Sequence, residues 1–116
     1  MKEAPEAFIE TFIQKSCRER VAHEWKKKQE KLYYKVCHKP EELFISKYEG
    51  KKSNIKENEN CYVLLGGNVM EQMPFHEAKE YIGCGDGVLI VTLNGSMFYA
   101  ESESTKGHPY VTYANG

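Results

Sequence analysis

The chain reads as a single α+β domain: a long N-terminal helix packed on an antiparallel sheet of five or six strands, with a second short helix. Three observations predict it. Apolar residues recur at helical spacing from Phe8 to Trp25, β-rich runs bounded by turn signals fill the second half, and 116 residues suit one domain. A chain of this length removes about two-thirds of its extended surface from water on folding, so it needs neither disulfides nor a structural metal to be stable. Its 8 Tyr, 5 Phe and single Trp supply ample burial and exclude wholesale disorder.

The first helix is expected from about residue 5 to 30. Pro5 is tolerated in a first turn, Glu3 and Glu6 complement the N-terminal dipole, and Phe8, Ile9, Phe12, Ile13, Cys17, Val21 and Trp25 form an apolar row. The row drifts around the axis, so the helix should wrap a twisted surface or bend. Leu32, Tyr34 and Val36 then alternate, which predicts a strand over 32–38. Leu43 to Tyr48 reads as a second strand, while Pro40-Glu41-Glu42 is equally able to open a short helix. Gly50 to Asn60 is polar and lysine-rich, a flexible loop within the domain.

Cys61 to Leu65 predicts a buried strand closed by the turn cluster Gly66-Gly67-Asn68. Pro74 to Ile82 begins with proline and stops at Gly83, the signature of a two-turn helix. Two strands, Gly87–Leu93 and Ser96–Ala100, flank Asn94-Gly95, a pair suited to a hairpin turn with φ > 0 at both positions. Tyr110 to Tyr113 is a last strand without charge, poorly protected if it lies outermost. The whole chain, residues 1–116, is expected to form one domain.

Charge is distributed unevenly. The net charge is −1, yet residues 1–58 carry +4 and residues 59–116 carry −5. Between residues 15 and 39 a local +6 accumulates, with Lys15, Arg18, Arg20, Lys26, Lys27, Lys28 and Lys31 as the basic patch. Cations interleaved with Trp25, Tyr33 and Tyr34 have the ingredients of a nucleic-acid surface. Two arginines against fourteen lysines argue against base-reading contacts, for which the guanidinium fork is preferred.

No chemical signature stands out. No Cys-x-x-Cys pair occurs, and neither His23-Glu24 nor His76-Glu77 continues into a zinc motif, so no metal or cofactor is implied. The glycines of Gly83-Cys84-Gly85-Asp86-Gly87 follow a helix and lead into a strand, the reverse of a phosphate cradle, which makes Gly83 a helix cap. A Cys84–His76 pair assisted by Asp86 or Glu77 has no family signature around it. The N-terminus lacks a secretory pattern and no apolar run approaches the ~20 residues of a membrane span. A soluble cytoplasmic protein with reduced cysteines and no membrane segment is therefore predicted.

In outline, one long helix followed by a curved antiparallel sheet resembles the cystatin-like and NTF2-like plans. That resemblance implies a concave sheet able to hold a small ligand or to act as an enzyme, with His76, Glu77, Cys84 and Asp86 near its mouth. The reading placed first is a small non-enzymatic protein-binding module of the regulator, inhibitor or toxin-neutralising type. It would act through charge complementarity and exposed tyrosines, docking on a basic partner through Glu71, Glu77, Glu80, Asp86, Glu101, Glu103, Tyr110 and Tyr113. The last strand would offer a sheet edge for homodimer formation. Nucleic-acid binding through residues 15–39 is the further alternative.

Overall fold

The computed structural model describes residues 4–45, 55–65, 69–83, 86–103 and 111–115. Helices α1 (Ala4–Phe12), α2 (Arg18–Lys27), α3 (Gln29–His38) and α4 (Pro40–Leu43) precede strands β1 (Asn60–Leu65) and β2 (Val69–Pro74). Helix α5 (Phe75–Ala78) and a 3-10 turn then lead to β3 (Asp86–Thr92), β4 (Met97–Glu103) and β5 (Val111–Asn115). The strands pair antiparallel throughout in the order β2-β1-β3-β4-β5. An α+β fold with an antiparallel sheet is thus present, although several elements differ from the sequence reading.

The expected helix over 5–30 is interrupted. No glycine or proline lies between Glu6 and Lys39, so nothing local breaks it. The interruption is tertiary: Ile13 bridges Phe44, Gln14 N–H donates to Leu43 O at 2.8 Å, and Ile45 N–H donates to Phe12 O at 3.0 Å. Arg18 closes the joint, its Nε donating to Ile13 O and its Nη2 to Glu10 O at 3.1 and 3.0 Å. The guanidinium thereby satisfies carbonyls that a helix end leaves without partners.

Residues 32–38, expected as a strand, belong to α3. Leu32, Val36 and Cys37 are buried and Tyr33 is partly so, an i, i+1, i+4, i+5 set that a helix puts on one face. The run is short enough to satisfy both periods, and packing on the sheet selects the helical one. The strand expected from Leu43 is absent over its described part. Pro40 instead opens α4, Phe44 makes only its single bridge, and Ser46 to Tyr48 lie outside the described residues. Strand β2 was not foreseen, because Val69-Met70-Glu71-Gln72-Met73 lacks the aromatic and β-branched enrichment that marks strands.

The C-terminal half follows its signals more closely. Helix α5 and its 3-10 extension span the proline-to-glycine segment, and Gly83 ends it at φ +81°. The hairpin between β3 and β4 does not use φ > 0 at Asn94. Only Gly95 is left-handed, at φ +72°, and its N–H closes a turn onto Thr92 O at 2.8 Å. Asn94 Oδ1 accepts from Ser96 N–H and from the Thr92 and Ser96 hydroxyls, fixing this longer loop. The cluster Gly66-Gly67-Asn68 and the residues Cys84-Gly85 lie outside the described set.

Each face of the sheet carries its own core. On one side α1, α2 and α3 bury Phe8, Phe12, Trp25, Leu32 and Val36 against Leu64, Leu89, Val91 and Phe98. Phe12 and Phe44 meet Phe98 at ring distances of 4.6 and 5.1 Å. On the other side Ile55 and Ala78 cover Cys61, Val63, Val88 and Ile90. The predicted loop over 50–60 is therefore docked from Ile55 onward: Glu57 O accepts from His76 N–H and Glu59 O from Phe75 N–H, at 2.9 and 2.8 Å. One close approach ties the layers together. At Gly87, φ +83°, a Cβ would stand 2.4 Å from Cys37 Sγ, so α3 lies against β3 where only glycine fits.

Candidate binding surface

Helices α2 and α3 pack side by side with α4 across one end. Their inward faces bury Val21, Trp25, Leu32 and Val36, which leaves the intervening charged positions on the outside. Lys15, Arg20, Lys26, Lys27, Lys28 and Lys31 are exposed, while Arg18 is half-buried and occupied by the carbonyls at the end of α1. Residues 15–45 hold nine cations against five acids. One of those acids, Glu24, is only 4% exposed and receives both its hydrogen bonds from Lys35 Nζ at 3.0 and 2.9 Å. The pair neutralises itself at the α2–α3 seam.

Two hollows flank α2. The first, of about 310 Å³, lies among α2, α3 and α4. Val21 and Leu43 form an apolar floor, Ser16 and Cys17 one end, and Arg20, Lys35, Lys39 and Glu42 the rim. Cys17 Sγ–H donates to Glu42 O at 3.3 Å and holds that end closed. The second, of about 610 Å³, is a wider groove between α1 and α2 in which Glu6, Glu10 and Glu19 face Arg18 and Lys26. The first is cationic and the second mixed. Tyr34, 56% exposed, stands on the outer side of α3 with its ring 4.6 Å from that of His38.

Of the acids expected to form a docking surface, some are exposed and some are engaged within the protein. Glu71 is exposed on β2, and Glu77 and Glu80 are exposed around α5. Glu103 is partly buried and faces His38 Nε2 at 3.2 Å. Glu101, expected to meet a partner, is instead 4% exposed. Its Oε2 accepts from Gly83 N–H at 2.8 Å and its Oε1 from the Tyr99 hydroxyl at 3.2 Å, so the carboxylate fastens the end of α5 to β4. Asp86 opens β3 opposite Glu103. Tyr113 sits on β5 opposite Tyr99, with its side chain outside the described residues, as Tyr110 is entirely.

Neither hollow is lined by His76 or Glu77, and Cys84 lies outside the described residues. Among the described residues no group of three His, Cys, Asp or Glu side chains is placed to hold a metal ion, and no helix is long and apolar enough to cross a membrane. The Cys61 thiol is pushed up to about 11, chiefly by burial and then by the Glu59 carboxylate, which opposes its use as a nucleophile. Sequence reading placed Lys35 and Lys39 within the basic segment 15–39 but not in the basic patch, and it did not single out Ser16. The signal was the helical phase of residues 29–38, which turns Lys35 toward Glu24 at the α2–α3 seam.

No protein-family model, curated protein or solved structure matches the chain. The geometry alone therefore defines a class: a sheet with a cationic helical surface on one side.

Proposed function

We propose that this chain is a non-enzymatic protein-binding module, of the regulator or inhibitor type, that docks an acidic protein partner on the outer surface of α2 and α3. The observation that carries this reading is the concentration of Arg20, Lys27, Lys28, Lys31 and Lys39, all exposed, in and at the ends of α2 and α3, with the Tyr34 ring exposed on α3. Cations around an aromatic anchor suit an interface, since steering comes from charge and affinity from rings. Of the two charge poles in the sequence, this one is favoured because Glu101 and Glu103 are engaged within the protein.

Retention on immobilised polyglutamate and on single-stranded oligothymidylate tests the reading. Polyglutamate should hold the protein at low salt and release it as salt rises, and Lys27→Glu with Lys31→Glu should abolish retention. Preference for the oligonucleotide would replace an acidic protein with nucleic acid as the partner. A second reading, homodimer formation through strand pairing, is supported by β5 standing outermost in the sheet with no charged residue from 111 to 115. Sedimentation at rising concentration checks it: Thr112→Lys should leave a monomer if β5 is the contact.

A further inference from the structure

The loop joining β3 to β4 carries Asn94-Gly95, a dipeptide in which the asparagine amide is readily lost to its own backbone, because glycine leaves the following nitrogen unshielded. The reaction needs no enzyme. Gly95 N, its proton given to hydroxide or water, attacks Asn94 Cγ; the N–Cγ bond forms, the Cγ–Nδ2 bond breaks, and ammonia leaves with a proton from solvent. Water then opens the cyclic imide at one of its two carbonyls. The product is either aspartate or an isoaspartyl link that routes the main chain through the side chain. Water is the sole co-reactant, and nothing is oxidised or reduced.

Both reacting groups are engaged elsewhere in the folded hairpin. Gly95 is buried and its N–H donates to Thr92 O at 2.8 Å, which fixes the plane of the Asn94–Gly95 peptide and keeps the nitrogen protonated. Asn94 is exposed, yet its Oδ1 accepts from the Ser96 hydroxyl at 2.7 Å, the Thr92 hydroxyl at 2.8 Å and Ser96 N–H at 3.0 Å. Three donors on that oxygen would stabilise the oxyanion of the attack, but the nitrogen is tethered to Thr92 O. Ring closure therefore requires the turn to open. Just beyond the turn Val91 pairs with Phe98, both 0% exposed. Aspartate at position 94 keeps an oxygen for the same donors, whereas an isoaspartyl link adds a main-chain carbon between Thr92 and Met97 and disturbs that pairing.

We propose that Asn94 is a latent modification site, which deamidates only when the β3–β4 turn opens and whose isoaspartyl product then prevents the turn from closing as before. A transient opening is thereby recorded as a permanent change next to the aromatic core, whatever the cationic surface binds.

Peptide mapping by mass spectrometry over days at mildly alkaline pH, with the full chain either folded or in urea, provides the test. Mapping separates Asn94 from Asn115-Gly116, the other such pair in the chain. Asn94 should convert at least about tenfold more slowly in the folded protein, a factor set by the free energy of opening the turn. Hydrogen exchange at Gly95 N–H in the unaltered protein should be slowed as well, because it waits on the same opening. Ser96→Ala removes one donor at a half-exposed position and should speed conversion in the folded state roughly threefold to tenfold, the worth of one hydrogen bond, with the rate in urea unchanged. The isoaspartyl chain, isolated after urea treatment and refolded, should have a lower urea midpoint than the aspartyl chain, which Asn94→Asp should reproduce. A folded-state rate equal to or above the rate in urea would overturn the gate, the faster case showing that the three donors act as an oxyanion hole. No conversion in urea would overturn the site, and equal midpoints for the two products would overturn the lesion.

Discussion

The two faces of the sheet are covered differently. Three helices cover one face, where Phe8 and Phe12 of α1 and Phe44 beyond α4 cluster on Phe98 of β4, all at most 1% exposed. The other face is closed by Ile55, the four-residue α5 and partly buried Met73, Phe75 and Ile82. The exteriors differ in charge as well: lysines crowd α2 and α3, whereas Glu57, Glu77 and Glu80 alternate with Lys56 and Lys79 around α5. The contrast teaches that stability and the proposed binding surface reside on the same side. Large apolar burial beneath α2 and α3 permits their outer faces to be specialised for charge without endangering the fold.

The sharpest way to break that comparison is to truncate one side chain on each face. Phe98→Ala, at the meeting point of three other phenylalanines, should lower unfolding free energy by about 3–5 kcal/mol in urea titration. Phe75→Ala on the thinner cover should cost about 1–2 kcal/mol, since its ring is only half-buried. Equal losses would erase the distinction between the faces. Next comes the seam between α2 and α3. Lys35→Ala leaves the buried Glu24 carboxylate without its donor and should cost about 2–3 kcal/mol, with Glu24→Gln restoring part of the loss in the double variant.

A smaller effect probes the cover face by pH. Cys61 ionises at about 11 in the folded protein against an ordinary 9.0. The unfolded chain therefore loses this proton first, and stability falls as pH climbs from 9.0 toward 11. The loss should be on the order of 2 kcal/mol, measured as urea midpoints, and Cys61→Ala should flatten it. The least effect is expected at the surface. Lys79, by its hydrogen bond and charge, holds the Glu57 carboxyl below its usual range. That contribution is present above the ordinary carboxylate range and fades as pH falls through the lowered value; Lys79→Met or high salt should remove it.

Legibility in the sequence also divides along the sheet. On the C-terminal side, Pro74, Gly83 and Asn94-Gly95 are local punctuation, and the elements they bound appear close to the expected places. On the helical side the decisive contacts join residues about thirty positions apart. Gln14 Nε2 donates to Glu41 O and Phe44 O, and no pattern within 5–30 announces that partnership. Alternation at Leu32, Tyr34 and Val36 pointed to a strand because the run was too short to separate the two periods. Reading residues 32–38 as a strand concealed the α2–α3 seam, and with it the hollow beside it. Charge segregation was visible from composition; which charges face outward was not, since the burial of Glu24 and Glu101 depends on partners distant in sequence.

The joint at Ile13 and Gln14 makes the direction of α2 a property of residues far downstream. Leu43, Phe44 and Ile45 hold the elbow by backbone hydrogen bonds and a single bridge, so they decide how widely the helices on either side of it splay. A change at Gln14 would therefore re-aim α2 and the cations it carries without replacing any of them. An excised peptide spanning α1 and α2 would lack the strut that bends it, and would report on neither hollow.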